Sequence, residues 1–146
     1  MDIRKVEATD AQAIADIHRR ARATAMPWLP VMHSAAGDLQ YFQTKVLPTE
    51  TVHVACAPQI IGFIAAHDGW VNHLYLDPAC LRQGIGTLLL DLVKADAESL
   101  QLWTFQKNVG ARAFYQAQGF AEVEQTDGHD NEEKTPDVRL EWARSP

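Results

Sequence analysis

Residues 80–95 read "CLRQGIGTLLLDLVKA", which places Gly84 and Gly86 at the point where a leucine-rich helix begins. Glycine is the poorest helix former after proline, so two of them in a first turn carry a conformational cost. The first amides of a helix lack intrahelical acceptors and sit at the positive end of its dipole. A loop without Cβ atoms lets those amides close around an anion, most often a phosphate. "RQGIGT" at a strand-to-helix junction therefore reads as an anion cradle, with Arg82 placed to add a charge-assisted contact. Close packing of the loop on a strand explains the same glycines, and for G-x-G alone the two readings stand level. The dinucleotide fingerprint needs a third glycine where this chain has Leu89, and a P-loop needs a lysine that does not follow Gly86.

The rest of the chain narrows the partners. Its 146 residues are expected to form one domain, 1–146, around a single core. The net charge of -6, from 13 Lys+Arg against 19 Asp+Glu, argues against nucleic acid or an anionic membrane as a partner. An acidic surface suits an amine-bearing substrate. No apolar run approaches the roughly 18 residues of a membrane span, and "MDIRKVEATD" has no apolar export segment. Cys56 and Cys80 form no CxxC pair, and with no export signal the expectation is reduced thiols in a cytoplasm. The six histidines show no ligand spacing, so no metal is expected.

Periodicity gives the order β-α-α-β-β-β-α-β-α-β-β, an α/β (α+β) fold with helices flanking a mixed sheet. "DIRKVE" alternates as a strand, and Thr9 with Gln12 has capping-box spacing ahead of Ile14, Ile17 and Ala21. A second helix is expected over about Ala36–Val46, ended by Pro48. Strand-like runs "TVHVACA", "IIGFIAAH" and "WVNHLYLD" follow, then the glycine loop and a helix with Ile85, Leu88, Leu89, Leu92 and Val93 on its core side. "LQLWTF" is a further strand, and "FAEVEQT" with "DVRLEW" reads as a closing antiparallel pair.

A second motif separates the two readings of the glycines. "NVGARAFYQAQGF", after the strand "LQLWTF", fits N-x-x-A-x-x-F-Y-x-x-x-G-F. With both motifs in this order, the chain resembles the GNAT superfamily of N-acetyltransferases, and the likeness extends from Ile3 to Trp142. The resemblance implies acetyl-CoA as co-substrate, its pyrophosphate held by the amides of Arg82, Gln83, Gly84, Ile85, Gly86 and Thr87. One departure is Leu81, which stands where the family usually has Arg or Gln. The resemblance also places the backbone of Leu74 and Leu76 beside the pantetheine arm and gives Asn108 a side-chain contact to it. Asn108 equally reads as a helix N-cap. On this view a carboxylate introduced at Gly86 takes the anion's place and abolishes coenzyme binding in a folded protein.

Tyr115 matches the tyrosine that relatives use as general acid toward the departing thiolate, although a buried aromatic beside Phe114 is the plainer reading. The family's usual strand glutamate is missing; Trp70 holds its place, and His73 is the one titratable candidate for a base, against the commoner reading of a structural histidine. The segment "ARATAMPWLPVMHS" is expected to build the acceptor pocket, with Trp28 and His33 as substrate contacts and Trp103 as a second wall. Asp127, Asp130, Glu132 and Glu133 form either a solvated loop or an amine-attracting mouth. The implied activity is direct transfer of an acetyl group to a primary amine of a small molecule or peptide. The rival is an acyl-CoA sensor without catalysis. A homodimer is compatible with either.

Overall fold

The structure, a computed structural model, describes residues 1–146. Strand β1 (Asp2–Lys5) leads through a 3-10 turn (Ala8–Asp10) into α1 (Ala11–Ala25). The cap lies two residues earlier than Thr9–Gln12: the Asp10 carboxylate accepts the Glu7 N–H at 2.8 Å and is gripped by both terminal Arg4 nitrogens at 2.7 and 3.1 Å. Entry through the 3-10 turn makes Asp10 the carboxylate that reaches back, with the same i, i+3 spacing. Helix α2 (Ala35–Tyr41), capped by Ser34 Oγ on the Gly37 N–H, runs through a π turn (Phe42–Val46) into α3 (Leu47–Thr49). Pro48 lies in the first turn of α3, where no N–H is needed, and the helix ends one residue beyond it.

Seven strands form one sheet in the order β1-β2-β3-β4-β5-β7-β6. The remaining strands are β2 (Thr51–Cys56), β3 (Ile60–His67), β4 (Trp70–Leu76), β5 (Ser99–Phe105), β6 (Ala121–Thr126) and β7 (Asp137–Ala143). Every neighbouring pair is antiparallel except β4 and β5. A parallel pair needs a long crossover, here supplied by α4 (Ile85–Ala95). Helix α5 (Val109–Ala117) joins β5 to β6. On one face Ile85, Leu89 and Leu90 pack with Leu100, Leu102, Val138 and Leu140; on the other, Ile14, Ile17 and Phe42 pack with Val52, Val54 and Phe63.

The stripe of α4 is rotated from the expected one. Ile85, Gly86, Leu89 and Leu90 are buried, whereas Leu88 and Leu92 are 46% and 38% exposed. Gly86 causes the rotation, because its missing side chain lets the helix lie against Phe114.

The parallel pair is the unusual part of the sheet. Strands β4 and β5 register only at Trp70 opposite Gln101, with Gln101 N–H also reaching Gly69 C=O. Between β3 and β4, Ala66 faces Val71 and Ala65 faces His73, so Asn72 is an extra residue. Such a bulge bends its strand, and from there β4 leaves β5.

Candidate active site

The splay leaves one edge of β4 without a partner strand. Asp77 N–H donates to Ile61 C=O at 2.7 Å. Alternation along an antiparallel ladder then turns the N–H and C=O groups of Leu74 and Leu76 to the opposite edge, toward the gap. The gap runs toward the glycine loop. Asp77 starts that loop by accepting the Ala79 N–H at 3.0 Å and Arg20 Nη2 at 3.2 Å.

Arg82 and Gly84 both adopt the left-handed region, with φ of 65° and 79°, and the turn lifts the chain into α4. The backbone N–H groups of Arg82 through Thr87 donate no hydrogen bond within the chain. Arg82, Gln83 and Gly84 are exposed and Ile85 and Gly86 are buried, so the row lies at the positive end of α4 with its donors open to an acceptor from outside the chain, which is the geometry that suits an anion. A Cβ built on Gly84 meets nothing within 4 Å. Gly86 is different: its Cβ would lie 3.3 Å from Phe114 Cζ and 3.7 Å from Leu76 Cδ1. The two glycines therefore divide the two sequence readings, Gly84 opening the loop and Gly86 serving helix packing. The expectation that a carboxylate at Gly86 lands in the anion's place is corrected by this contact. The Arg82 side chain is exposed, with no hydrogen bond or ion pair to the rest of the chain, and Leu81 is 53% exposed.

Asn108 caps α5, its Oδ1 accepting the Ala111 N–H at 3.2 Å. Two turns along, Tyr115 is 8% exposed and packs edge-on against Phe114 and Phe120. Its hydroxyl has no hydrogen-bond partner in the chain. Burial, reinforced by the neighbouring Tyr75, pushes its pKa up, so the phenol keeps its proton.

Across the gap, on the α1 side of the sheet, lies a cavity of about 400 Å³ whose lining includes His18, Arg22, Met26, Tyr41, His73 and Glu133. Tyr41, the last residue of α2 before the π turn, reaches the cavity, and its Oη lies 3.1 Å from His73 Nε2. The Arg22 guanidinium binds Glu133 Oε2 at 2.8 Å and Tyr75 Oη at 3.4 Å, so the β6–β7 loop is tied to α1 over the cavity. His33 lines the cavity too, its Nε2 set against a Glu132 carboxylate oxygen.

Three expectations change here. Burial pushes the His73 pKa down to about 3, with His18 and Arg22 adding repulsion. A group that gives up its proton so readily does not serve as a base at neutral pH, so His73 is a neutral wall of the cavity. Trp28 is outside the lining and meets Phe105 edge-on, with Lys107 Nζ 5.6 Å from its ring centroid. Trp103 lies 42% exposed in a separate cavity of about 470 Å³. Of the three substrate contacts expected from sequence, only His33 reaches the first cavity. Arg22 and Tyr41 line it without a sequence signal, since each gains its position only through tertiary packing.

The paired histidines have a consequence for stability. His18 is also pushed down to about 3 by burial and by Arg22 and Arg19. Above about pH 6.5 both imidazoles are neutral folded or unfolded, and they add nothing to the pH dependence. Between about pH 6.5 and 3 the unfolded chain takes up protons that the folded chain refuses, so stability falls as pH falls. Each imidazole contributes a slope of up to about 1.4 kcal/mol per pH unit. Urea unfolding from pH 7 to 4 is expected to show this slope, and His18→Phe is expected to flatten it.

Residues 48–122, just over half of the chain, match the family described as the acetyltransferase (GNAT) domain. The peptidyl-lysine N-acetyltransferase YiaC of Escherichia coli (strain K12) is 36% identical over 63 residues, which are 42% of this chain and 43% of that enzyme. The fold matches the solution structure of apo-form YjaB from Escherichia coli with a TM-score of 0.81 at 20% identity, over 99% of this chain and 98% of that one. It also matches the PaiA N-acetyltransferase from Thermoplasma acidophilum, solved in complex with coenzyme A, with a TM-score of 0.77 at 21% identity over 98% of both chains. On the family match, with glycine loop, splayed strands and Asn…Phe-Tyr helix all in place, the chain belongs to the GNAT acetyltransferases.

Proposed function

We propose that residues 1–146 act as an acetyl-CoA-dependent N-acetyltransferase working by direct transfer to a primary amine. The observation that carries this is the row of unpaired amides from Arg82 to Thr87, beside a strand edge open at Leu74 and Leu76. The fit is chemical as well as spatial: the amides suit a diphosphate, and the strand edge suits the amide groups of a pantetheine arm, which it receives as an added strand. The Asn108 Nδ2 is free to join them while Oδ1 caps α5. The PaiA N-acetyltransferase, whose fold this chain shares, was solved in complex with coenzyme A, which supports the choice of ligand.

The coenzyme supplies a thioester; orientation and proton handling fall to the chain. The cavity under Tyr41 and His73 holds the amine on the far side of the gap from the amides. Its neutral imidazoles and the Arg22 guanidinium favour the uncharged amine, which sheds its proton to water on entry. As the C–N bond forms, the N–H groups of the β4 edge stabilise the charge developing on the carbonyl oxygen. As the C–S bond breaks, Tyr115 gives its phenolic proton to the sulfur, and the proton that the new amide nitrogen sheds passes through water to reload the phenolate. Cys80 precedes the glycine loop and has no part in an acyl-enzyme route. The peptidyl-lysine activity named for the E. coli relative makes a lysine side chain the first acceptor to try.

A free-thiol assay over amine classes tests the reading, paired with thermal shift. Coenzyme A at about a hundred times its Kd is expected to raise apparent stability by about 2.7 kcal/mol. Stabilisation without thiol release over the whole amine panel favours the sensor. No stabilisation at millimolar coenzyme defeats both.

A further inference from the structure

The acceptor side of the sheet is covered over only half its width. Helices α1 and α2 pack on β2, β3 and β4. On the same side Trp103 of β5, Arg139 and Glu141 of β7, and Glu124 of β6 carry no helix. Trp103, opposite Arg139 in the ladder, is 42% exposed in the second cavity.

We propose that this uncovered face is a docking surface for a lysine- and arginine-rich polypeptide, one of whose amines is the acceptor; the proposal rests on the acetyltransferase reading. Charge is the first argument. Glu124, Asp130, Asp137 and Glu141 lie on or at the rim of the face, and Arg139 is its one cation, shared between Glu124 and Glu141. The side chains of Glu124 and Glu141 are about half exposed and that of Asp130 is 93% exposed. A cationic side chain laid on Trp103 gains both ring and carboxylates. The same charge argues against a second copy of the chain, because a two-fold contact sets the face against its own image and like charges meet. Lys107 is occupied over Trp28, and Lys134 binds the His129 carbonyl at 2.7 Å.

Continuity is the second argument. Asp130 and Asn131 line the second cavity, while Glu132 and Glu133 line the first. Neighbouring residues of one loop thus separate the docking face from the acceptor cavity. An extended chain covers about 3.3 Å per residue, so a few residues carry a lysine from Trp103 over the loop.

Binding is measured without coenzyme, by fluorescence anisotropy of a labelled peptide alternating glycine with lysine and arginine, against the same peptide with glutamine in place of arginine. The basic peptide is expected to bind about tenfold more tightly at about 50 mM salt, with the difference collapsing near 0.5 M. Trp103→Ala weakens it about fivefold and Trp103→Phe restores most of the loss. Glu124→Gln with Glu141→Gln weakens it further, whereas Arg139→Gln tightens it, a change of sign that a merely structural role does not give. Equal affinity for the two peptides overturns the proposal. So does unchanged affinity in Trp103→Ala, or a Trp103-dependent dimer in sedimentation. Thiol release with free lysine as acceptor is the separate measure of the transferase reading.

Discussion

Tyr115→Phe lowers kcat about a hundredfold, the lower end of what a positioned general acid contributes, and leaves coenzyme affinity and melting temperature nearly unchanged. The ring is what packs against Phe114 and Phe120, and phenylalanine keeps it. The hydroxyl has no partner in the chain, so its removal leaves no orphaned donor or acceptor, the usual source of a large stability loss. What disappears is the proton for the departing sulfur. Burial raises the phenol's pKa, so the wild-type acid stays loaded through the neutral range and its alkaline limb in kcat lies above about pH 10. Steady-state kinetics with a fixed amine, beside coenzyme titration by thermal shift, decide the matter. A phenylalanine variant with undiminished kcat removes Tyr115 from the chemistry.

The second large effect separates the two glycines. Gly86→Glu drives a Cβ to 3.3 Å from Phe114 Cζ and puts a carboxylate into the α4 core. Overpacking costs about 1–3 kcal/mol, and an unpaired buried charge adds several more. Against a total stability of about 5–15 kcal/mol, the variant is expected to be largely unfolded at 37 °C. Gly84→Ala behaves otherwise. Its Cβ meets nothing within 4 Å, so only the left-handed backbone is penalised, by about 1 kcal/mol. That lowers the melting temperature by about 3–5 °C for a chain of this size. The new methyl stands beside the unpaired amides, and coenzyme affinity is expected to fall about tenfold. Circular dichroism reports the first variant and calorimetric titration the second. Full affinity in a folded Gly84→Ala protein moves the diphosphate away from this loop.

Much of this molecule was legible before folding. The element order and mixed sheet followed from periodicity and turn residues, since hydrophobic spacing is a local property. The family was legible because its two motifs are contiguous in sequence. What escaped depends on which way a helix or strand is turned. The α4 stripe was read with Leu88 and Leu92 inward, but Gly86 docks on Phe114 and turns them out. His73 looked like a base because its residue type titrates near neutrality; its environment, with His18 and Arg22 beside it under the π turn, makes it the reverse. Trp28 and Trp103 read alike as pocket walls, but Trp28 packs on Phe105 outside the first cavity and Trp103 lines the second. No local pattern marks Arg22 as the tie to Glu133, 111 positions away.

The parting of β4 and β5 also shapes how the protein moves. With one registered residue pair between them, the sheet is mechanically two plates, β1 to β4 and β5 to β6, sharing a short seam and riding on α4 and α5. A guest lying along the β4 edge and ending at the loop before α4 fastens the plates together like a splint. Breathing of the seam is then fastest in the empty protein, and amide exchange along Asn72–Leu76 slows when the groove is filled.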